Sequence, residues 1–114
     1  MIVDFKKRVA TTHIIILIKD TSCINYSNFY KQCRRRGELD AGVHYFIDDD
    51  GTIHVARKDD AVAGWEYTDN ETSLYILAQS NTNKLNSCQK YVLPGLLESL
   101  KKKYKDAKVV ERTE

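Results

Sequence analysis

Three histidines, three cysteines and a run of carboxylates are the residues of this chain whose types could do chemistry. His13, His44 and His54 offer the side chain that most readily binds metals or moves protons near neutral pH. Nothing in their spacing gives them proximity or a supporting hydrogen-bond shell, so a metal site built on all three has no support. Cys23, Cys33 and Cys88 are odd in number and form no CxxC pair, which excludes zinc-finger and thioredoxin readings. They read as free thiols of a reducing compartment. Asp48, Asp49 and Asp50 before Gly51 lack the alternating ligands and closing glutamate of a calcium loop and read as a turn. Glu66 and Asp69 could form a two-carboxylate hydrolase, but no neighbouring residue orients them.

The cations fall in groups. Lys6, Lys7 and Arg8 follow Phe5 as a basic entry to the first strand. Arg34, Arg35 and Arg36, with Lys31 a turn earlier, point in different directions around a helix end. There they complement the helix dipole, and this reading is preferred over an acidic or phosphate-bearing ligand. Eighteen Lys and Arg against sixteen Asp and Glu give a net charge of +2, too small to argue for nucleic acid, so only local clusters speak to partners.

The elements that must position these groups come next. A chain of 114 residues is one domain, able to bury a core without disulfides or metal. Its 42% hydrophobic and 30% charged residues place it among globular proteins. Residues 1–8 carry no apolar stretch before their charges, so they are not a signal peptide. The apolar run 14–18 is far short of a membrane span. A soluble, cytoplasmic protein is expected.

Residues 12–18, apolar and β-branched, predict a central strand buried on both faces. Residues 26–35 predict a helix, with Tyr26, Phe29, Tyr30 and Cys33 at helical spacing and Gly37 as its stop. Residues 43–47 and 52–57 predict a hairpin around Asp50-Gly51. Residues 58–72 read as loop and 73–79 as another strand. Tyr91, Val92, Leu96, Leu97, Leu100 and Tyr104 mark one stripe of an amphipathic helix. Pro94 must either start that helix or lie inside it, so starts at Ser87 and at Pro94 both stand. Val109 and Val110 suggest a last short strand, and residues 111–114 a frayed end.

Residues 36–57 carry Arg36-Gly37, Leu39-Asp40, Gly42-x-His44 and Asp50-Gly51-Thr52 together. At that spacing they resemble the central segment of the zinc-dependent N-acetylmuramoyl-L-alanine amidases, a family that includes the peptidoglycan recognition proteins. The likeness starts at Val3, continues through Gly64 and weakens over residues 73–104. It implies an α/β fold, a single compact domain over residues 1–114 with a mixed central sheet flanked by helices.

The family holds zinc with two histidines and a third ligand, usually cysteine, leaving one position open for water. By the resemblance its first ligand falls at Leu17, or at Lys19 with a shift of two, and its assisting tyrosine at Val43. Its loop histidine is replaced by Trp65-Glu66. The remaining ligands lie beyond residues 109–114, so the chain is expected to lack that C-terminal segment. His44 matches a family residue that is not a ligand and is expected to be structural.

The resemblance therefore implies a catalytically inactive, zinc-less relative without a cofactor, encoded by a phage. Short coliphage members of the family also inhibit RNA polymerase, which makes a host or viral protein the expected partner and inhibition the expected role. Lys19, Arg57 and Lys58 are expected near the former substrate groove, with Trp65 and Tyr67 on its bordering loop. With Phe5, Lys6, Lys7 and Arg8 they form the candidate binding set. Two alternatives stand: sequestration of an anionic small molecule such as a nucleotide signal, and residual peptidoglycan cleavage or binding.

Overall fold

The computed structural model describes residues 6–23, 25–38, 41–64, 67 and 69–113. Its elements are β1 (His13–Lys19), α1 (Tyr26–Arg35), β2 (Tyr45–Ile47), β3 (Ile53–Val55), β4 (Ser73–Gln79), α2 (Ser87–Lys103) and β5 (Lys108–Thr113). The strands form one sheet in the order β3-β2-β4-β1-β5. β1 runs parallel to β4 and β5, β2 runs parallel to β4, and β3 pairs antiparallel with β2. This is the mixed α/β sheet expected from the sequence.

The apolar run of β1 serves two cores at once. Ile15 and Leu17 face one side with Phe29 and Cys33 of α1, Val43, Phe46, Tyr75 and Leu77. Ile14, Ile16 and Ile18 face the other with Leu74, Ile76, Ala78 and the α2 residues Leu93 and Leu100. Period-two alternation sends successive side chains to opposite faces, so a strand between two layers must be apolar throughout. Burying each such side chain contributes roughly 1.5–3 kcal/mol.

The hairpin strands are shorter than expected. At His44 the ladder gives way, because Ala56 N and Arg57 N both donate to the His44 carbonyl, at 2.9 and 3.3 Å. Two residues opposing one is the geometry of a bulge. α2 starts at Ser87: Asn86 accepts from Gln89 N at 2.9 Å, and the Gln89 side chain accepts from Asn86 N at 3.1 Å. This capping box resolves the choice of start, and Pro94 lies within the helix.

β5 corrects the frayed end expected at 111–114. It runs to Thr113, in register with β1 from His13↔Lys108 to Ile18↔Thr113. Five of its six side chains are exposed, so its strand character comes from backbone pairing and leaves little mark on the sequence.

The connections fix where a ligand could sit. α1 carries the chain from β1 to β2 over one face, and α2 carries it from β4 to β5 over the other. Neighbouring parallel strands whose crossovers leave in opposite directions open a crevice beyond their carboxyl ends. Here that crevice lies past Lys19 and Gln79.

Candidate functional site

Gln79, at the end of β4, shapes the crevice. Its carboxamide oxygen accepts from Thr21 N at 2.9 Å and from the Thr21 hydroxyl, and its NH2 group donates to Asp20 Oδ1 at 3.0 Å. Ser22 N donates to the same oxygen at 2.9 Å. These bonds, the Gln79 one foremost, hold the Asp20 carboxyl below the usual carboxylate range. The chain leaving β1 is thereby fixed as one wall of a cavity of about 630 Å³.

α1 and its C-cap present Phe29, Gln32 and Arg36, at the three- and four-residue spacing that shares one side of a helix. Arg36 donates to Glu38 Oε2 at 3.0 Å, and that pairing raises the guanidinium pKa. Tyr67 closes another side. Its ring is backed by Tyr75, with centroids 4.4 Å apart, and the Tyr75 hydroxyl donates to Asp69 Oδ1. Burial, then the Asp69 carboxylate, raises the Tyr75 pKa well above its ordinary value. Lys19 lines the cavity too, and among the described residues its ammonium enters no hydrogen bond or ion pair.

Leu17 and Val43 do not line this cavity. They are 1% and 0% exposed, packed together in the core under α1. An aliphatic pair sealed among Phe46, Tyr75 and Leu77 offers no lone pair to a cation, so these positions do not fit a zinc site. Among the described residues no three of His, Cys, Asp and Glu group as ligands. The histidines hold separate posts: His13 contacts the Thr12 hydroxyl at 2.8 Å, and His54 Nε2 contacts Asp48 Oδ2 at 2.8 Å. Asp48 also accepts from Tyr26 N at 2.9 Å and Asp50 from Thr52 N at 2.9 Å, so this acidic run ties the hairpin to the start of α1.

His44 is wholly buried. Its Nδ1 accepts from Tyr75 N at 3.0 Å, which places the proton on Nε2, and Nε2 donates to Ala61 O at 2.7 Å. Arg8 Nη1 donates to the same carbonyl at 2.7 Å. The 3.0 Å approach of Arg8 to Nε2 thus brings two donors together on one acceptor. Burial above all pushes the imidazole pKa down to about 4; the Ala61 bond opposes this, and Arg8 and Arg57 reinforce it. His44 is the structural histidine of this loop.

The other candidate residues divide. Arg57 is 8% exposed and donates to Val62 O at 2.7 Å, bracing the 57–62 loop. Lys58 is exposed and lies outside the cavity lining. Lys7 bridges to Ala61, Val62 N donates to Lys6 O at 2.7 Å, and Arg8 N donates to Asp60 O at 2.8 Å. The N-terminal segment and the loop are therefore one surface. Lys6 pairs with Glu71 at 3.4 Å and Lys7 with Asp60 at 3.8 Å, both highly exposed, and such pairs contribute little. Phe5, Trp65 and Glu66 lie outside the described residues.

Of the candidate binding residues, the cavity thus unites Lys19 and Tyr67. It adds Gln32, Glu38 and Arg36, which the sequence reading missed; only the three- and four-residue spacing of Phe29, Gln32 and Arg36 could have found Gln32. Cys23 and Cys33 are buried and Cys88 is exposed. Burial pushes the Cys33 thiol up to about 11, so it stays protonated and unreactive.

No family model matches this chain, and no curated protein matches it in sequence. Solved structures do. The Ph2119 endolysin from the Thermus scotoductus bacteriophage is 22% identical over 94% of this chain and 75% of its own, with a TM-score of 0.77. The N-acetylmuramoyl-L-alanine amidase LysC from Clostridium intestinale is 20% identical over 96% and 78%, with a TM-score of 0.75. Drosophila peptidoglycan recognition protein SD is 20% identical over 95% and 73%, with a TM-score of 0.73. The chain has the amidase and peptidoglycan recognition protein fold. No helix among the described residues is long and apolar enough to cross a membrane.

Proposed function

We propose that this domain binds without cleaving, as a zinc-less relative of the amidases. The observation that carries this reading is the burial of Leu17 and Val43 at 1% and 0% exposure in an apolar cluster, where the resemblance would require a metal ligand and a catalytic phenol. A hydrolase of this kind needs an open coordination position facing substrate; packed aliphatic side chains leave no such position.

The partner in this reading is a host or viral protein, with RNA polymerase the one the sequence resemblance points to. The protein would be phage-encoded, act in the host cytoplasm and inhibit or regulate by occlusion. The joining of residues 6–8 to residues 60–62 supports a contact surface made from both. Deleting residues 1–8 would also remove Arg8, which braces Ala61. The sharper variant is therefore Lys6→Glu with Lys7→Glu, which should lose the captured protein while the fold persists; capture equal to wild type would remove this surface from the proposal.

A second reading, peptidoglycan binding or residual amidase action, is favoured by the amidases and recognition proteins among the structural neighbours. Incubation with purified sacculi separates the readings. The non-hydrolytic proposal expects no released stem peptide; chelator-sensitive release would overturn it.

A further inference from the structure

We propose that the outward face of α1 binds the phosphate backbone of duplex DNA without reading its sequence. Of the ten residues of this helix, Phe29 and Cys33 are buried and Tyr26 and Gln32 half-buried. The exposed six are Ser27, Asn28, Tyr30, Lys31, Arg34 and Arg35. Each of those six side chains can donate a hydrogen bond, and all are types that hold phosphate oxygens in protein–DNA contacts. None is a carboxylate and none is aliphatic.

The helix dipole accounts for part of this charge only. Arg34 and Arg35 stand in the last turn, but the dipole's influence falls off within that turn and does not extend to Lys31. Lys31 lies three and four residues from the two arginines, the spacing at which like charges on a helix repel. α2 meets the same problem with carboxylates: Lys102 faces Glu98 at 3.8 Å, and Lys103 faces Asp59 at 3.1 Å. α1 contains no carboxylate, and the one nearby, Glu38, is held by Arg36 at 3.0 Å. Arg34 also donates to the Glu38 carbonyl at 3.4 Å. Among the described residues, Lys31 and Arg35 enter no hydrogen bond or ion pair.

The arrangement on the helix sets the partner. Lys31 and Arg35 stand one turn apart along one flank of the face, and Tyr30 and Arg34 along the other. Two rows of donors on either side of a helix suit a groove, where the phosphates of two strands face each other. The major groove of duplex DNA, about 12 Å wide, admits an α-helix. A single strand would engage one row. A protein partner would meet a face without the apolar centre that protein interfaces bury, whereas protein–DNA interfaces are more polar and more positive. This surface is separate from the one formed by residues 6–8 and 60–62, so the inference does not rest on the protein-binding reading above.

Fluorescence anisotropy of a labelled mixed-sequence duplex titrated with the whole chain tests this, with the corresponding single strand and polyglutamate as comparison arms. The duplex should bind more tightly than either, and a shuffled duplex should bind equally well. Three neutralised phosphates give a slope of about −2.7 for log K against log salt, so affinity should fall about fortyfold between 50 and 200 mM salt. Lys31→Gln with Arg35→Gln should reduce that slope to about −0.9. Lys90→Gln with Lys105→Gln removes the same charge from two other exposed positions and should leave the slope at the wild-type value. The proposal is overturned if no duplex binds at the lower salt concentration, or if the single strand or polyglutamate binds as tightly. It is equally overturned if the slope survives loss of Lys31 and Arg35, or falls as far with loss of Lys90 and Lys105.

Discussion

Mild acid should weaken this fold through one residue, His44. Its folded-state pKa is pushed down to about 4 from the ordinary 6.5. Above pH 6.5 the imidazole is neutral in both states and contributes its full stability. As the pH falls, the unfolded chain takes up a proton that the folded protein refuses until about pH 4, so stability is lost across that window. The whole shift amounts to about 3 kcal/mol, and between about pH 7.5 and pH 5 the loss is about 2 kcal/mol.

Urea unfolding of wild type and His44→Gln across that range isolates the effect, because the other titrating groups are common to both. Gln keeps a donor within reach of Ala61 O but leaves Tyr75 N without the His44 acceptor it has at 3.0 Å. The variant should therefore be less stable by about 1–3 kcal/mol at pH 7.5. Wild type should then lose ground as the pH falls, until the two curves converge near pH 5. Nitrogen NMR of the imidazole should show the Nε2–H tautomer and no protonation of His44 near pH 6.5. Parallel stability curves, or a ring that titrates at its ordinary value, would refute the reasoning.

Two further substitutions test the local geometry around α2. Asn86→Ala removes the side-chain half of the capping box, the bond from Gln89 N, and the 2.8 Å bond from Asn86 Nδ2 to Asp49 O, and should cost about 1 kcal/mol, read as a lower unfolding midpoint. Gly51→Ala should cost about 1–2 kcal/mol, because Gly51 sits at φ +87° and an added Cβ would stand 3.0 Å from the Cys88 carbonyl oxygen. A thermal melt unchanged from wild type would show that the hairpin and the start of α2 are not pressed together.

Much of the fold was legible because its signals are local. The five consecutive apolar residues of β1, the helical spacing of Tyr26, Phe29 and Cys33, and the Asp50-Gly51 turn each specify their element within a few residues. The start of α2 was legible in principle, since Asn86 and Gln89 stand at capping-box spacing, but the nearby proline competed with that signal. β5 was not legible beyond Val110. Its last residues are strand because β1 supplies their backbone partners, and their exposed side chains carry no hydrophobic pattern.

The site divides in the same way. Sequence by itself determined that Leu17 and Val43 cannot ligate a metal, because side-chain chemistry does not depend on the fold. It also placed Lys19 and Tyr67 among the candidate binding residues, with Arg57, Lys58 and others that the cavity does not include. Only the tertiary structure decided that Leu17 and Val43 are sealed in the core while the cavity opens beside them. It also decided that Arg8 and Arg57 brace loop carbonyls and that Lys19 has no partner among the described residues. Those outcomes depend on which groups from distant segments come within hydrogen-bond reach, and that is set by how β1, β4 and α1 pack together.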